Sequence, residues 1–394
     1  MEEHIPYPST PSFDNFKRQY LRALTYSPPE DDSKSTDHDE EENLRSRPPR
    51  FGTFIGTIKL HGTNASIIYS KGDRHYPRFQ ARTWVIEEGK DNLGTRSLLS
   101  KAPLHELVDE ILRIHKGDSF DEIYIAGEIA GKGVQKGVAI AELDRFFAIF
   151  NIRIDGNWVD IRDYKSVALP KHRIFNIAQY PIFTLAIDFR YDTKSASDQM
   201  EKWTMEVAGE CPFGAAFSGR GGKKVSGVGE GIVWTLVESE DKERPLKRDI
   251  LWNFKTKGEQ FSTTAHASKP GTTPRATEGQ TKSQKGAVLF ADYALTERRF
   301  EQGLEHLLLE QSRKGVPESQ QNVLNPQLTG TFLNWVTNDA ITEERHKMNE
   351  LGAIEKDVRK ESTGRARKWF AQKCREEANK LVLVEDAMSG LSLQ

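Results

Sequence analysis

The sequence predicts an α+β fold, with antiparallel sheet in the middle of the chain and helices towards its end. Between Phe51 and about Phe261, short β-rich runs such as FIGTIKL, EIYIAGEI and RFFAIFNIRI alternate with glycines, as antiparallel strands joined by turns do. Two helices are also expected within this region, near Leu98–His115 and Ser195–Ala208. From Ala287 onward, three longer segments space their apolar residues as helices do, which predicts a small all-α domain.

Composition divides the chain into five parts. The first part carries aromatic side chains that would pin an N-terminal segment onto a domain. The second has eight acids between Glu30 and Glu42 and no aromatic residue, which predicts a disordered spacer. A stretch rich in Ser, Thr, Gly, Pro and Lys predicts a flexible linker before the helices. The predicted parts are the N-terminal segment 1–27, the acidic spacer 28–50, the β-rich domain 51–261, the linker 262–285 and the helical domain 286–394.

Charge and cysteine content exclude several classes of protein. The formal net charge of −2 excludes a globally basic nucleic-acid binder, although it leaves room for a local basic groove. The two cysteines, Cys211 and Cys374, lie far apart and predict neither a disulfide framework nor a zinc cluster. With no long apolar run and an acidic Met-Glu-Glu start, we expect no membrane contact and no secretory signal. A soluble protein of the cytoplasm or nucleus is therefore expected.

The segment TIKLHGTNASIIY at residues 57–69 carries the main chemical signal. Lys59 ends an apolar strand and is followed by His61, Gly62, Thr63 and Asn64 before a second strand begins. A lysine that attacks a phosphorus atom must be uncharged, and partial burial with neighbouring cations would depress its pKa. A glycine here would permit a tight turn. Lys-x-x-Gly alone favours a structural turn, so the residues that accompany it decide its meaning.

The region from Phe51 to Phe261 resembles the RNA ligase 2-like branch of the polynucleotide ligase and capping-enzyme superfamily. Lys59 lies in the Lys-x-His-Gly-Thr-Asn version of the nucleophile motif of that superfamily. The further matching motifs, in chain order, are Arg82 in QARTW, Glu128 in IAGEIAG, Phe150 in FFAIFNI, Glu230 in GEGIVW, and Lys255 with Lys257 in FKTK. The resemblance implies a nucleotidyltransferase (adenylation) domain made of two antiparallel sheets around an ATP groove.

The resemblance also implies a role for each of these residues. Lys59 would be the nucleophile, with His61 assisting a later step and Asn64 orienting a strand end. Glu128 and Glu230 would hold Mg²⁺ or Mn²⁺, which prefer carboxylate oxygens. The residues implied to contact ATP are Arg82, Glu128, Phe150, Lys255 and Lys257. Each also has a plain structural interpretation: a carboxylate beside a turn, a surface arginine, a solvated strand face, or a phenylalanine in the core.

The sequence departs from the family pattern at two positions. Asn151 follows Phe150 where the family usually has Asp, and an amide keeps the hydrogen bonding but loses the charge. Ala126 stands where an aromatic residue is common. Two short segments, KGVQKGVAI with Gln135 and the N-terminal IPYPSTPSF, resemble the family more weakly.

Two basic segments bear on RNA binding. The loop SGRGGKKVSG, residues 218–227, could meet phosphates or could be a mobile surface hairpin. In TGRARKW, Arg365, Arg367 and Lys368 flank Trp369, which suits a phosphate-contacting surface. The alternative for the second segment is a solvated helix face with Trp369 in the helical core.

Taken together, the motifs predict an ATP-dependent RNA ligase that joins 5′-phosphate and 3′-OH ends through lysyl-AMP and RNA-adenylate. We expect it to act as a monomer on nicked duplexes or RNA ends. The alternatives within the superfamily are a DNA ligase or an mRNA guanylyltransferase, which usually carry Lys-x-Asp-Gly and an added OB-fold. A non-catalytic nucleic-acid-binding relative is the alternative from another class.

Overall fold

The computed structural model describes residues 4–25, 49–71, 73–89, 91, 93–191, 193–218, 224–240, 246–262, 281–314 and 325–391. The chain divides into two compact units, Met1–Gly258 and Glu259–Gln394. Nearly all of the predicted acidic spacer, most of the predicted linker and the centre of the basic loop at 218–227 lie outside the described residues.

The first unit contains five α-helices and ten strands in the described ranges. Its helices are α1 (Phe13–Thr25), α2 (Thr95–Leu99), α3 (His105–His115), α4 (Lys194–Gly209) and α5 (Pro212–Ala215). Its strands are β1 (Phe51–Lys59), β2 (Thr63–Ser70), β3 (Arg78–Ala81), β4 (Glu122–Ala130), β5 (Phe146–Ile154), β6 (Asn157–Trp158), β7 (Ile174–Asn176), β8 (Phe183–Asp188), β9 (Gly231–Ser239) and β10 (Asn253–Lys257).

The strands form two sheets, as the sequence predicts. Sheet A has the order β10-β9-β1-β8 and is antiparallel throughout. Sheet B has the order β3-β2-β4-β5-β6, also antiparallel, and β7 pairs in parallel with β5. The register sets Lys59 opposite Gly231 in sheet A and Asn64 opposite Glu128 in sheet B. Consequently β1 and β2, joined by a short turn, carry the His-Gly-Thr-Asn segment from one sheet to the other.

The prediction of one helix over Leu98–His115 is wrong, because two helices occupy this stretch. α2 ends at Leu99 and α3 begins at His105. Pro103 lies between them, and a proline disfavours the helical conformation of the residue before it. The apolar spacing was interpreted correctly for α3, since Leu107, Val108 and Ile111 are buried in the core that includes sheet B. The helix expected near Ser195–Ala208 is present as α4.

The N-terminal segment packs on both sheets of the first unit. Before α1, Gln80 of β3 binds the backbone of Ile5, and the backbone N–H of Lys255 in β10 donates to Pro11 O at 2.8 Å. Within α1, Phe16 packs on Phe54 and Phe254 of sheet A. The residues that lead into α1 therefore cross from sheet B to sheet A.

The second unit is all-helical over its described residues, as predicted. Its helices are α6 (Lys282–Ala294), α7 (Glu297–Arg313), α8 (Thr329–Glu343), α9 (Arg345–Glu350) and α10 (Glu355–Leu391). α6 begins inside the predicted linker, because Thr281 and Gln284 form a reciprocal capping box there. The core of the unit includes Phe290, Phe332 and Phe370. None of the helices described in either unit is both long and apolar enough to cross a membrane.

Candidate active site

Three strand ends of sheet A bring Lys59, Glu230 and Lys257 together. Lys59 is the last residue of β1, Lys257 is the last residue of β10, and Glu230 immediately precedes β9. Gly231 makes this convergence possible. Its φ is +152°, and a Cβ at this position would lie 2.1 Å from the backbone oxygen of Thr256. No side chain fits there without separating β9 from β10.

Glu230 is the centre of the resulting hydrogen-bonded cluster. Its side chain is only 2% exposed, and its Oε2 accepts a 2.8 Å hydrogen bond from Lys59 Nζ. The same oxygen lies 3.3 Å from His61 Nδ1, and Oε1 lies 2.9 Å from Lys257 Nζ. One carboxylate therefore contacts three groups that can carry a proton, including the predicted nucleophile.

Glu128 faces the same region from sheet B. It lies on β4, and its Oε1 accepts a 3.0 Å hydrogen bond from the backbone N–H of Gly62. A Cβ at Gly62 would lie 2.2 Å from Ile129 O and 2.9 Å from Glu128 Cγ. Glycine is required at this position because the turn after Lys59 passes directly against β4. This turn also fixes Glu128 near the lysine.

The electrostatics of the cluster differ from the sequence expectation in one respect. Burial pushes the pKa of Lys59 down, but the carboxylates of Glu230 and Glu128 outweigh burial and raise that pKa above its ordinary value. The predicted depressed pKa at Lys59 is therefore wrong for the free protein. The lysine whose pKa is lowered is Lys257, where burial dominates despite the attraction of Glu230 and where Lys255 and Lys59 add repulsion.

The two carboxylates are shifted in opposite directions. Burial raises the pKa of Glu230, but the ammonium groups of Lys257 and Lys59 outweigh burial and hold that pKa well below its ordinary range. Burial raises the pKa of Glu128 to about 7, against the attraction of Lys59. Glu230 is therefore a permanent anion near neutral pH, whereas Glu128 titrates there.

The remaining sequence-predicted residues of the first unit lie around this cluster. Arg82 directly follows β3 and is exposed, and its positive charge opposes the rise in the pKa of Lys59. Lys255 is half-buried two residues before Lys257, on the same side of β10. Asn64 lies opposite Glu128, and its buried side-chain oxygen has no hydrogen-bond partner among the described residues.

Phe150 occupies a β-bulge. The register of β4 and β5 passes from Ala126 paired with Asn151 to Gly127 paired with Ile149, so Phe150 has no partner on β4. Its ring is half-buried and meets the ring of Tyr7 edge-on at 5.4 Å. Contact with ATP and packing in the core are both compatible with this position, because one side of the ring packs on protein and the remainder is accessible.

Tyr7 was not selected as a site residue by the sequence analysis, although it joins the two sheets. Its hydroxyl oxygen accepts a 2.7 Å hydrogen bond from the Asn151 amide in β5 and a longer one, 3.5 Å, from the Asn253 amide in β10. Asn151 donates to this oxygen, which an aspartate cannot do. The sequence signals were the aromatic residues expected to pin the N-terminal segment onto a domain and the short IPYPSTPSF resemblance.

The basic residues of TGRARKW lie in the second unit. All three were predicted to form a surface that contacts phosphates, but Arg365 is engaged by carboxylates instead. Arg365 is tied to Asp292 at 2.5 Å and to Glu361 at 2.8 Å. Arg367 and Lys368 are exposed. Trp369 packs against Phe300 and Phe332, which agrees with the alternative that places it in the helical core.

The side chains of this site supply some, but not all, of the oxygen ligands that a hard cation such as Mg²⁺ needs. Among the described residues, no group of three or more His, Cys, Asp or Glu side chains is arranged to hold a metal ion. Glu128 and Glu230 supply two carboxylates. Such a pair fits Mg²⁺ or Mn²⁺, which commonly complete their coordination with water and phosphate oxygens.

The chain was compared with curated proteins and with solved structures. The comparison with curated proteins finds no match. Solved structures of Naegleria gruberi RNA ligase match at 14% identity and a TM-score of 0.36 for the form with PPi. A mutant with ATP and Mn matches at 12% identity and a TM-score of 0.35. Each match covers 66% of this chain and 58% of the other chain. This chain spans 58% of the length of those ligases.

A family model described as RNA ligase matches residues 52–248, which is half of the chain. The matched range contains β1 with Lys59, the turn through Gly62, and the carboxylates Glu128 and Glu230. The chain belongs to the RNA ligase family.

Proposed function

We propose that this protein is an ATP-dependent RNA ligase that uses Lys59 as its nucleophile. The observation that carries this proposal is the cluster at the ends of β1, β9 and β10. There Lys59 Nζ lies 2.8 Å from Glu230, with Lys257 on the other oxygen of the same carboxylate. Membership of the RNA ligase family supports the same conclusion.

The proposed reaction has three steps. The neutral amine of Lys59 attacks the α-phosphorus of ATP; an N–P bond forms, the P–O bond to pyrophosphate breaks, and the amine proton is released. An oxygen of the RNA 5′-phosphate then attacks the phosphorus of lysyl-AMP, which breaks the N–P bond and returns a proton to Lys59. Finally, a 3′-OH attacks the adenylated 5′-phosphate, loses its proton and expels AMP.

The charges around Lys59 suit phosphoryl transfer, which depends on positioning and charge neutralisation. Lys255, Lys257 and Arg82 would meet the triphosphate oxygens, and Phe150 would stack on the adenine. His61, which lies beside Glu230 and is buried, would contact the phosphates during AMP transfer. Glu128 and Glu230 would hold Mg²⁺ or Mn²⁺, which supplies positive charge to the phosphates when bound.

The alternatives are less well supported. Partnered buried charges rarely increase stability over apolar packing, so a non-catalytic binding protein would have little reason to keep Glu230 and its three contacts buried. A DNA ligase or guanylyltransferase would be favoured by an OB-fold after the first unit. The described residues after Gly258 contain helices and no strand.

Covalent labelling tests the proposal. After incubation with α-labelled ATP and Mg²⁺, the protein should keep its label through denaturing electrophoresis, and α-labelled GTP should give none. Lys59→Ala should abolish the label, whereas Lys165→Ala, at an exposed site, should not. Peptide mapping of the label to another lysine would disprove the assignment. Sealing should then be compared on nicked duplex RNA, single-stranded RNA and nicked DNA, with nicked RNA as the expected substrate.

A further inference from the structure

The exposed side of α10 in the second unit has an unusual charge distribution. Between Glu355 and Glu376, nine residues are exposed; six are basic, three are neutral and none is acidic. We name these residues the basic face. Its members are Lys356, Arg359, Lys360, Gly364, Arg367, Lys368, Ala371, Gln372 and Arg375.

The acidic residues of the same stretch are already engaged. Glu355 pairs with Arg359 at 2.7 Å, and Glu361 pairs with Arg365 at 2.8 Å. Asp357 accepts from Ser283 at 2.5 Å. Glu376 lies 3.5 Å from Lys373. The most exposed residues of this stretch therefore include cations and no carboxylate, and each of its carboxylates already has a partner.

The cations of the basic face are closely spaced and mostly unneutralised. Of the six, Arg359 pairs with Glu355, and the other five form no ion pair with a described carboxylate. Lys356 and Lys360 stand four residues apart, a spacing at which like charges on a helix repel. A face that served solubility alone would mix both signs. In a chain of net charge −2, this local excess indicates an anionic partner.

The geometry of the face selects among anionic partners. From Lys356 to Arg375, α10 rises about 28 Å, at about 1.5 Å per residue, so the cations form an elongated patch along one broad side of the helix. Gly364 and Ala371 place small side chains within this patch, which lets a phosphodiester backbone approach the helix. The exposed residues include no aromatic group on which single-stranded bases could stack. They also lack the apolar side chains that an interfacial membrane helix buries.

We propose that the basic face binds the phosphodiester backbone of duplex RNA. The inference rests on the proposed function, because it assumes an RNA substrate, and it specifies which residues of the second unit hold that substrate. Arg365 is excluded, since Asp292 and Glu361 neutralise it. The residues proposed to contact RNA are therefore Arg367 and Lys368, which the sequence already predicted, together with Lys356, Lys360 and Arg375.

The test is the salt dependence of binding to a nicked RNA duplex, measured by fluorescence anisotropy with the full chain. Each phosphate contact contributes about 0.9 to the slope of log affinity against log salt, so changing Lys360, Arg367 and Lys368 to Gln should lower that slope by about 2.7. Between about 50 and 200 mM salt, the affinity of the wild type should then fall about 40-fold more than that of the triple variant.

Two variants serve as controls. Lys101, Lys165 and Lys202 are exposed on the first unit, and changing all three to Gln gives the same change of charge and should leave the slope unaltered. The charge-preserving variant Lys360→Arg, Arg367→Lys, Lys368→Arg should keep the wild-type slope. Changing Lys356, Lys360 and Arg375 to Gln gives a second reduced-charge variant in case the first folds poorly.

The outcomes separate this inference from the proposed function. A wild-type slope in both reduced-charge variants would overturn the basic face as a binding surface. Equal competition by single-stranded RNA or by an acidic polypeptide would overturn the choice of partner. ATP labelling of Lys59 should be unchanged in every variant. Loss of ATP labelling in the wild type would instead remove the proposed function, and the salt slopes would still decide whether the face binds duplex RNA.

Discussion

The substitution Glu230→Gln tests how the cluster at Lys59 is held together. The carboxylate is buried and contacts Lys59, His61 and Lys257. Glutamine keeps the size of the side chain and removes its charge. Breaking a buried ion pair by removing one partner costs about 3–5 kcal/mol, because the other charge stays buried without compensation. We expect the free energy of unfolding to fall by about this amount near pH 7.

The loss should depend on pH in a defined direction. Without Glu230, we expect burial to outweigh the remaining attraction and to hold the pKa of both lysines in the folded state below the unfolded value. The unfolded chain then binds more protons than the folded one as pH rises towards the ordinary lysine pKa, so the variant gains stability. The gain is about 1.4 kcal/mol per pH unit for each lysine that has lost its proton in the folded state.

The acid side provides a second check. In the wild type the pKa of Glu230 lies well below its ordinary range, so the contribution of this carboxylate is complete above the ordinary glutamate pKa. The contribution is lost as pH falls below that value. The difference between wild type and variant should therefore be largest near neutral pH and smaller at both ends.

Urea unfolding across this pH range measures the difference. Asp198→Asn is the matched control, because the exposed Lys194–Asp198 pair should contribute at most about 0.5 kcal/mol. Adding Lys257→Met to Glu230→Gln should recover part of the loss, since one uncompensated ammonium is removed. Equal stability of wild type and Glu230→Gln near pH 7, or a loss independent of pH, would refute this account of the cluster.

Three further predictions concern other parts of the first unit. Tyr7→Phe should lower the free energy of unfolding by about 1–3 kcal/mol, because the amides of Asn151 and Asn253 lose their acceptor; an unchanged urea midpoint would argue against this contact. Because the pKa of Glu128 is about 7, calorimetry should find that Mn²⁺ affinity rises about tenfold per pH unit up to about that pH and then levels off. Glu128→Gln should abolish this dependence. A chain ending at Gly258 should fold by circular dichroism and form lysyl-AMP but seal nicks poorly; full sealing would show that the helical unit serves another purpose.

The sequence predicted the parts of the site that depend on local pattern. Lys59, Glu230 and Lys257 were identified through short motifs that resemble those of a known family. Each ends or adjoins a β-rich run, and the antiparallel register brings these ends together. The glycine of the Lys-x-x-Gly segment was also expected, although its structural reason is the close approach of β4 to Gly62.

The parts that the sequence missed depend on partners distant in the chain. Asn253 meets Tyr7 across 246 positions, and no spacing rule connects them. Arg365 was assigned to the RNA surface because its neighbours are basic. Only the fold reveals that Asp292, 73 positions away, neutralises it. The break between α2 and α3 is different, because Pro103 was visible in the sequence and outweighed the apolar spacing.

The protonation state of Lys59 was also beyond the sequence, and it leads to a final prediction. Burial lowers the pKa of both Lys59 and Lys257, yet only Lys59 has two carboxylates raising it, those of Glu230 and Glu128. In the free protein the proposed nucleophile is therefore the lysine that holds its proton more tightly. We therefore expect the amine to stay unreactive until another cation competes for the carboxylates.

Competitive labelling of lysines with formaldehyde and borohydride, followed over a range of pH, reports the pKa of each amine. In the free protein, Lys257 should titrate below an ordinary lysine and Lys59 above it. Glu230→Gln should lower the pKa of Lys59, because the strongest attraction for its proton is removed. Added Mg²⁺ should act in the same direction by occupying the carboxylates. Titration of Lys59 below Lys257 in the free protein would contradict the argument, because the resting amine would then already be the more nucleophilic of the two.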